Sequence, residues 1–555
     1  MAFPILGGKR FVMLEKIYCA KCIGIDAVTV TVEVDIRNGI GIHLVGLGDT
    51  AVKESLLRTV NALQSQGFSV PGKKIIINLA PADLRKNGSG YDLPIALGII
   101  AASGQKSLPG LGRYLIMGEL GLNGEVRPIT GALSFAELAA EQGFDGCILP
   151  LESALEAVEV DGTAVYGIRT MADAIRILAG EDDADDLLAR NSPEYLERPA
   201  DADGRDGEYM DFSEIVGQAA AKRGIEIAAA GGHNVLLIGS PGSGKSSLAK
   251  AMAGILPPMT KEESVQTSKI YSVAGRSHPA GLMRCRPFRA PHYSASLPAI
   301  IGGGSDNIMP GEMSLAHNGV LFCDEFCEAP KKMIEALRAP MEDRKVVISR
   351  LKSKVEYPAS FMLVAATNPC PCGWYGEGER CNCTPSRREA YLSKLSGPIL
   401  DRVDIQLWLK SVDPSKLVRG GKEESSQSIR ERVTLAREIQ KQRFAREAVR
   451  TNAEMDSRLI REFCPLDEAC RDYLEKVMTN MGFSARACTR IIKLARTIAD
   501  LEAVGRFLAA PPRGFGPGAV SASSGDPICD PGPIKMVHLA EASGYRFLDR
   551  YKLDF

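Results

Sequence analysis

The chain has almost no net charge: 67 Lys and Arg stand against 68 Asp and Glu over 555 residues, a formal balance of −1. A molecule-wide basic field is therefore excluded, and any nucleic-acid site has to be a local patch. No run approaches 18 uninterrupted apolar residues, so no membrane span is expected. The opening MAFPILGGKRFVMLEKIYCA has no long apolar stretch followed by a small-residue cleavage site, so no signal peptide is expected either. The 14 cysteines are scattered except for one tight group, which is not the layout of a disulfide scaffold. Together these absences point to a cytoplasmic protein with reduced thiols and no membrane partner. Core-forming residues are not scarce. Hydrophobic residues make up 45% and charged residues 24%, ordinary for a soluble globular chain, and the length suggests about three or four domains.

Three blocks and a linker emerge along the chain. Residues 1–180 alternate strand-like runs (Ala27–Val34, Lys74–Leu79) with helix-like ones (Leu93–Ala102). Residues 181–210 read as an acidic linker, with eleven Asp/Glu against three Lys/Arg by residue 208. Residues 211–410 open with a helix candidate, Gln218–Ala230, and continue with an apolar strand and a Gly-rich turn. Residues 411–555 turn helical with charged faces (Ser428–Arg446, Leu466–Met481, Ala485–Leu501). Within them Ala510–Pro533, rich in Gly, Pro and Ser, reads as a flexible loop between helices.

The strongest chemical signal lies at the start of the third block. The apolar run Asn234–Ile238 leads into Gly239-Ser240-Pro241-Gly242-Ser243-Gly244-Lys245-Ser246, with Ser247 opening a helical stretch. Strand, G-x-x-x-x-G-K-S and helix in that order form a P-loop context. The glycines let backbone N–H groups turn toward phosphate oxygens, and the helix N-terminus adds partial positive charge. Lys245 is expected to reach the β- and γ-phosphates of ATP, and Ser246 to ligate Mg²⁺. About eighty residues on, Gly319–Glu325 is an apolar strand ending in two carboxylates. Asp324 is expected to hold the Mg²⁺ shell and Glu325 to orient or deprotonate the attacking water. A third strand, Phe361–Ala366, ends in Thr367-Asn368 and is expected between the other two. Asn368 is its candidate for the γ-phosphate or the water.

Two further features invite chemistry. Ser264–Ser305 contains no Asp or Glu but carries Lys269, Arg276, Arg284, Arg286 and Arg289, with Phe288 and Tyr293 interleaved. Such a basic insertion suits either a phosphate backbone, gripped by Arg284, Arg286 and Arg289, or a subunit interface. Cys370, Cys372, Cys381 and Cys383 form C-P-C-x₈-C-N-C, a set able to complete a tetrahedral Zn²⁺ site. Two disulfides, or free thiols, are the alternatives.

DFSEIVGQ (211–218), RPFRAPHYS (286–294), GEMSLAHNGVLFCDE (311–325), ATNPCPCG (366–373) and GPILDRVD (397–404) go beyond a generic ATPase. Together they resemble the ComM/YifB family of magnesium-chelatase-like AAA+ proteins over essentially the whole chain. The resemblance implies an AAA+ P-loop α/β core with a helical lid in a multidomain α/β chain, assembled as a homo-oligomeric, hexameric ring. It implies a branch-migration helicase acting on DNA in transformation and recombination. A magnesium-chelatase or MoxR-like ATPase remodelling a protein partner is the alternative. It assigns Arg402 as an arginine finger and Arg486 as sensor 2, with Arg490 one turn on as a competitor. RKNGSGYDLP (85–94) and GELGLNGEVRPITGAL (118–133) resemble the α+β Lon-protease-like fold. Gly90 then stands where the nucleophilic Ser belongs and Leu133 where the Lys base belongs, which implies an inactive protease fold.

Overall fold

The computed structural model describes residues 14–46, 50–86, 88–197, 209–276, 281–304, 308–350, 353–412, 415, 423–509 and 531–550. It is a mixed α/β molecule built on two main sheets. The first has seven strands: β1 (Leu14–Ile23), β2 (Asp26–Arg37), β3 (Gly41–Val45), β4 (Lys74–Ala80), β5 (Tyr114–Ile116), β6 (Gly146–Pro150) and β7 (Ala164–Ile168), in the order β3-β4-β2-β1-β5-β6-β7. The β1–β2 and β2–β4 pairs are antiparallel and the rest parallel. In β4 (KIIINLA) Ile75, Ile77 and Leu79 are buried while the residues between them are only half-buried, the period of a strand covered on one face. The helix Asp92–Ala102, apolar all round, lies buried along its whole length against β1 and β2. Gly98 permits that approach, because a β-carbon there would lie 2.6 Å from Val34 and 2.8 Å from Ile17.

The acidic segment expected to be a solvated linker is folded through residue 197. It makes short helical turns at Ala184–Leu187, Ala189–Asn191 and Pro193–Leu196, and Ala189 is fully buried in the first core. Its acids answer cations beside them: Asp183 meets Arg176 and Glu194 meets Arg169. Local charge imbalance was a poor guide because those partners precede the segment in sequence.

The second sheet is parallel throughout: β8 (Val235–Gly239), β9 (Phe288–Arg289), β10 (Val320–Cys323), β11 (Met362–Thr367) and β12 (Ile405–Leu409), in the order β9-β10-β11-β8-β12. The third motif strand therefore lies between the first two. Both faces are covered, as a parallel sheet requires, and the alternation along β8 divides two cores. Val235 and Leu237 pack with Ile429, Val433, Ile491 and Ile498 of the C-terminal helices, whereas Leu236 and Ile238 join Leu321, Leu363 and Ile399 on the other side. Ser426–Arg443 and the 25-residue Ala485–Ala509 are the long helices of the C-terminal region. Most of Ala510–Pro533 lies outside the described residues. After it, the chain returns along edge strand β12. Gln406 N–H donates to Tyr545 O at 2.8 Å, Leu548 N–H donates to Gln406 Oε1 at 2.8 Å, and Phe547 packs on Trp408.

Candidate nucleotide site

The P-loop leaves the carboxyl end of β8. Gly239 is required by space: a β-carbon would lie 2.6 Å from Ser243 Oγ and 2.7 Å from Leu409 O. Gly242 and Gly244 have φ of 78° and 91°, and a β-carbon on either would meet nothing within 4 Å. Their cost would be conformational, and the space beside them is open. Lys245, Ser246 and Ser247 begin the helix Lys245–Ile255. Lys245 Nζ donates to Gly239 O at 2.7 Å, Ser240 O at 2.9 Å and Asn368 Oδ1 at 3.3 Å. Burial lowers its pKa, opposed by the charge of Asp324. Ser246 Oγ donates to Asp324 Oδ2 at 2.9 Å. Four expected residues from three strand ends are thus joined at one place.

Glu325 follows at the surface with φ 48° and ψ 40°. Left-handed backbone at a non-glycine residue costs about 1–2 kcal/mol and clusters at functional positions. The sequence carried no sign of it. The donor set suits MgATP. The open concavity of the loop, the lysine within it, and the buried Ser243 Oγ, which has no hydrogen-bond partner, are the features a triphosphate would engage. A hydroxyl bonded to a carboxylate is a pair able to hold Mg²⁺.

The segment after β11 wraps the loop from above. Ser240 Oγ donates to Glu377 Oε1 at 3.0 Å, and Ser411 N–H donates to the same oxygen at 2.8 Å. A β-carbon at Gly373 (φ 83°) would lie 2.9 Å from Pro241 Cδ. Within this segment Cys370, Cys372, Cys381 and Cys383 place their four sulfurs within 4.8 Å of one another. None is in a disulfide.

Arg402 and Arg486 sit elsewhere. Strands β8 and β12 run parallel with Val235 opposite Ile405 and Gly239 opposite Leu409. Arg402, just before β12, is therefore at the amino ends of the strands and the P-loop at their carboxyl ends. Five residues at about 3.3 Å each put roughly 16 Å of sheet between them. Arg402 Nη1 donates to Pro398 O at 2.9 Å, Nη2 meets Glu342, and Nε is buried without a partner. Arg486, largely exposed, lies 3.8 Å from Asp401.

The loop carrying Arg402 is held by Arg490, the expected competitor of Arg486, and by Asn234 and Arg546, to which the sequence gave no such part. Asn234 donates through Nδ2 to Arg402 O (3.0 Å) and through its backbone to Asp404 Oδ2 (2.9 Å), and accepts from Leu363 N–H (2.8 Å). Arg490 donates to Asp401 O at 2.5 Å and to Asp404 Oδ1. Arg546, almost fully buried, donates to Val403 O at 2.7 Å. Burial alone would raise the Asp404 pKa. Arg490, then His233, overrides burial and holds the carboxyl far below its usual range.

The basic stretch is answered by carboxylates from outside it. Arg286 is largely buried: it contacts Glu263 at 2.7 Å and donates to Asn318 O and Pro257 O at 2.8 and 2.7 Å. Arg289 makes a two-pronged pair with Glu312 at 2.6 and 2.8 Å. Arg284, the most exposed of the three, lies 3.8 Å from Glu159. Lys269, on the helix Lys261–Val273, reaches Glu137 at 2.5 Å and Asp26 at 3.1 Å in the first unit. Arg286 and Arg289 thus fasten the chain to itself. Of the protease-like positions, Leu133 is fully buried in the first core. A β-carbon added at Gly90 would lie 2.9 Å from Met117, and Ser89 is bonded to Glu119.

Comparison with known proteins gives relatives along the whole chain. The family model for "Magnesium chelatase, subunit ChlI" matches residues 211–417; its companion for "Subunit ChlI of Mg-chelatase" matches 32–153, and the ChlI C-terminal model matches 423–508. Competence protein ComM of Haemophilus influenzae is 39% identical over 539 residues, 97% of this chain and 98% of that protein. YifB of Escherichia coli is 42% identical over 500 residues, 88% of this chain and 94% of that protein. An archaeal Lon protease of Halobacterium salinarum is 45% identical over 58 residues, 10% of this chain and 8% of that protein. With three adjoining models and relatives aligned from end to end, the chain belongs to the ComM/YifB family of magnesium-chelatase-like AAA+ ATPases.

Proposed function

We propose that the chain is a ring-forming AAA+ ATPase whose nucleotide sites lie between subunits and whose motor acts on DNA, as a branch-migration helicase in transformation and recombination. One observation carries the ring. Lys245, Ser246, Asp324, Glu325 and Asn368 gather at one end of the second sheet, while Arg402 and Arg486 share the other end. Neither arginine serves its own chain's site, and both suit a neighbour's. Lys245 grips the β- and γ-phosphates, Ser246 and Asp324 hold Mg²⁺, Asn368 and Glu325 orient the water, and Arg402 of the next subunit meets the charge that develops on the transferred group. Bound Mg²⁺ supplies further neutralisation of that charge.

DNA as substrate is supported by the name of the Haemophilus relative, a competence protein. Arg284 is the basic-stretch arginine best exposed for a phosphate backbone. The first unit acts in assembly and not as a protease, because neither Gly90 nor Leu133 offers a nucleophile or base. The matching chelatase models favour a second reading, an ATPase that remodels a protein partner. ATP turnover measured with and without forked or four-way DNA separates the two. Stimulation that falls with salt and with Arg284→Ala supports the DNA motor. Turnover indifferent to every nucleic acid sinks it in favour of the remodeller.

A further inference from the structure

The four-cysteine cluster is not used by the chemistry above, yet its loop touches the P-loop directly. Its geometry is specific. Cys370 Sγ lies 3.4 Å from Cys372 Sγ and 3.8 Å from Cys381 Sγ, and Cys372 Sγ lies 3.6 Å from Cys381 Sγ. A disulfide needs about 2.05 Å. Four thiolates about 2.3 Å from a central Zn²⁺ form a tetrahedron with edges of about 3.8 Å, close to what is seen. Four thiolates around one dication leave two negative charges, and the same loop supplies cations. Arg388 donates to Cys383 O at 3.4 Å and stacks on Tyr375, and Arg380 lies over Trp374.

We propose that Cys370, Cys372, Cys381 and Cys383 bind one Zn²⁺, and that this closed loop positions the P-loop through Glu377 and Gly373, so that zinc occupancy sets nucleotide affinity. The second half rests on the reading of the P-loop as an ATP site. The cysteines flank residues 373–380, and Gly373 and Glu377, which meet Pro241 and Ser240 of the P-loop, fall inside that span. Glu377 accepts from Ser240 and also from Ser411 N–H, so it ties the P-loop to the end of β12. Gly373 abuts Pro241, and Gly376 lies against the Trp408 indole, where a β-carbon would be 3.2 Å away. Without the metal, nothing covalent closes this span.

Full-length chain, purified without chelator, is expected to carry one zinc per chain by elemental analysis. Cys381→Ser together with Cys383→Ser should remove the zinc and weaken MgATP binding about tenfold, the effect of one or two hydrogen bonds lost behind the loop. Glu377→Ala should keep the zinc and show a similar weakening, so the link is tested even where the cysteine variant fails to fold. A wild-type chain that refuses zinc on titration, or that carries iron and sulfide instead, overturns the metal assignment. A zinc-loaded Glu377→Ala chain with wild-type affinity overturns the link. Wild-type chain that holds zinc but binds no nucleotide overturns the ATP reading and the link with it, and leaves the metal site standing.

Discussion

Replacing Arg490 by methionine removes the cation facing Asp404, whose side chain is 1% exposed. The carboxylate keeps the Asn234 N–H, but its charge is left in the protein interior. Breaking a buried pair from one side costs about 3–5 kcal/mol. With a urea slope of about 2–3 kcal/mol/M, the unfolding midpoint should fall by about 1.5 M. Both tryptophans of the chain, Trp374 and Trp408, lie in or beside the second sheet, so intrinsic fluorescence reports this part of the molecule. Arg490→Met combined with Asp404→Asn should recover most of the loss, because the second change removes the stranded charge. The single variant has a pH signature too. Wild-type Asp404, held below the unfolded value of about 3.9, makes the fold lose stability as pH falls through and below that value; with Arg490 gone the carboxyl moves up and this acid loss should shrink. A loss under about 1 kcal/mol, or a double variant no more stable than the single, would refute the claim that Arg490 neutralises Asp404.

Other consequences are as direct. Glu325→Gln should bind MgATP normally and turn it over at least about a hundredfold more slowly; Arg402→Ala should also bind, and lose about a thousandfold in turnover. Adding Lys245→Ala chains, which retain Arg402, should partly restore turnover in Arg402→Ala rings, and no rescue at any mixing ratio would count against a finger supplied in trans. His317 is buried and accepts from Ser360 N–H, and burial, then Arg450, pushes its pKa from 6.5 down to about 4. The unfolded chain therefore binds this proton first, and stability present above pH 6.5 is lost as pH falls toward 4, by about 3 kcal/mol for this group. Thermal midpoints across that window should fall less steeply in His317→Gln. Arg286→Ala should cost about 2 kcal/mol of stability, since Glu263 keeps Arg450 at 3.2 Å but loses its closer cation, and Asn318 O and Pro257 O lose their donor; a stable variant impaired only in DNA binding would contradict that.

The strands of the candidate site were legible because each is a short apolar run followed at once by a candidate site residue: Gly239, Asp324, Asn368. Their order followed too, since a strand whose polar tip serves both motifs belongs between them. Charge pairing was not legible. The scarcity of acids over 264–305 suggested a surface for polyanions, but Lys269 meets Asp26 and Glu137, residues far earlier in the chain. The nearest acids in sequence to Arg402 are Asp401 and Asp404, yet Asp404 belongs to Arg490 and Arg402 turns to Glu342. Spacing along a chain cannot rank partners brought together by tertiary packing. The backbone of Glu325 and the reach of Glu377 to Ser240 left no trace in residue type.

The helix Lys261–Val273 belongs to the ATPase half by sequence but is fastened to the first unit by Lys269, by Ser272 (2.5 Å to Glu156) and by Lys261 (2.5 Å to Asp161). Each side also lends the other a core residue: Leu282 is buried in the first core and Ile25 in the third. Severing the polypeptide between residues 198 and 208 should therefore leave two pieces that travel together through a sizing column. Salt alone should weaken that association without abolishing it, since half of the bond is oil rather than charge.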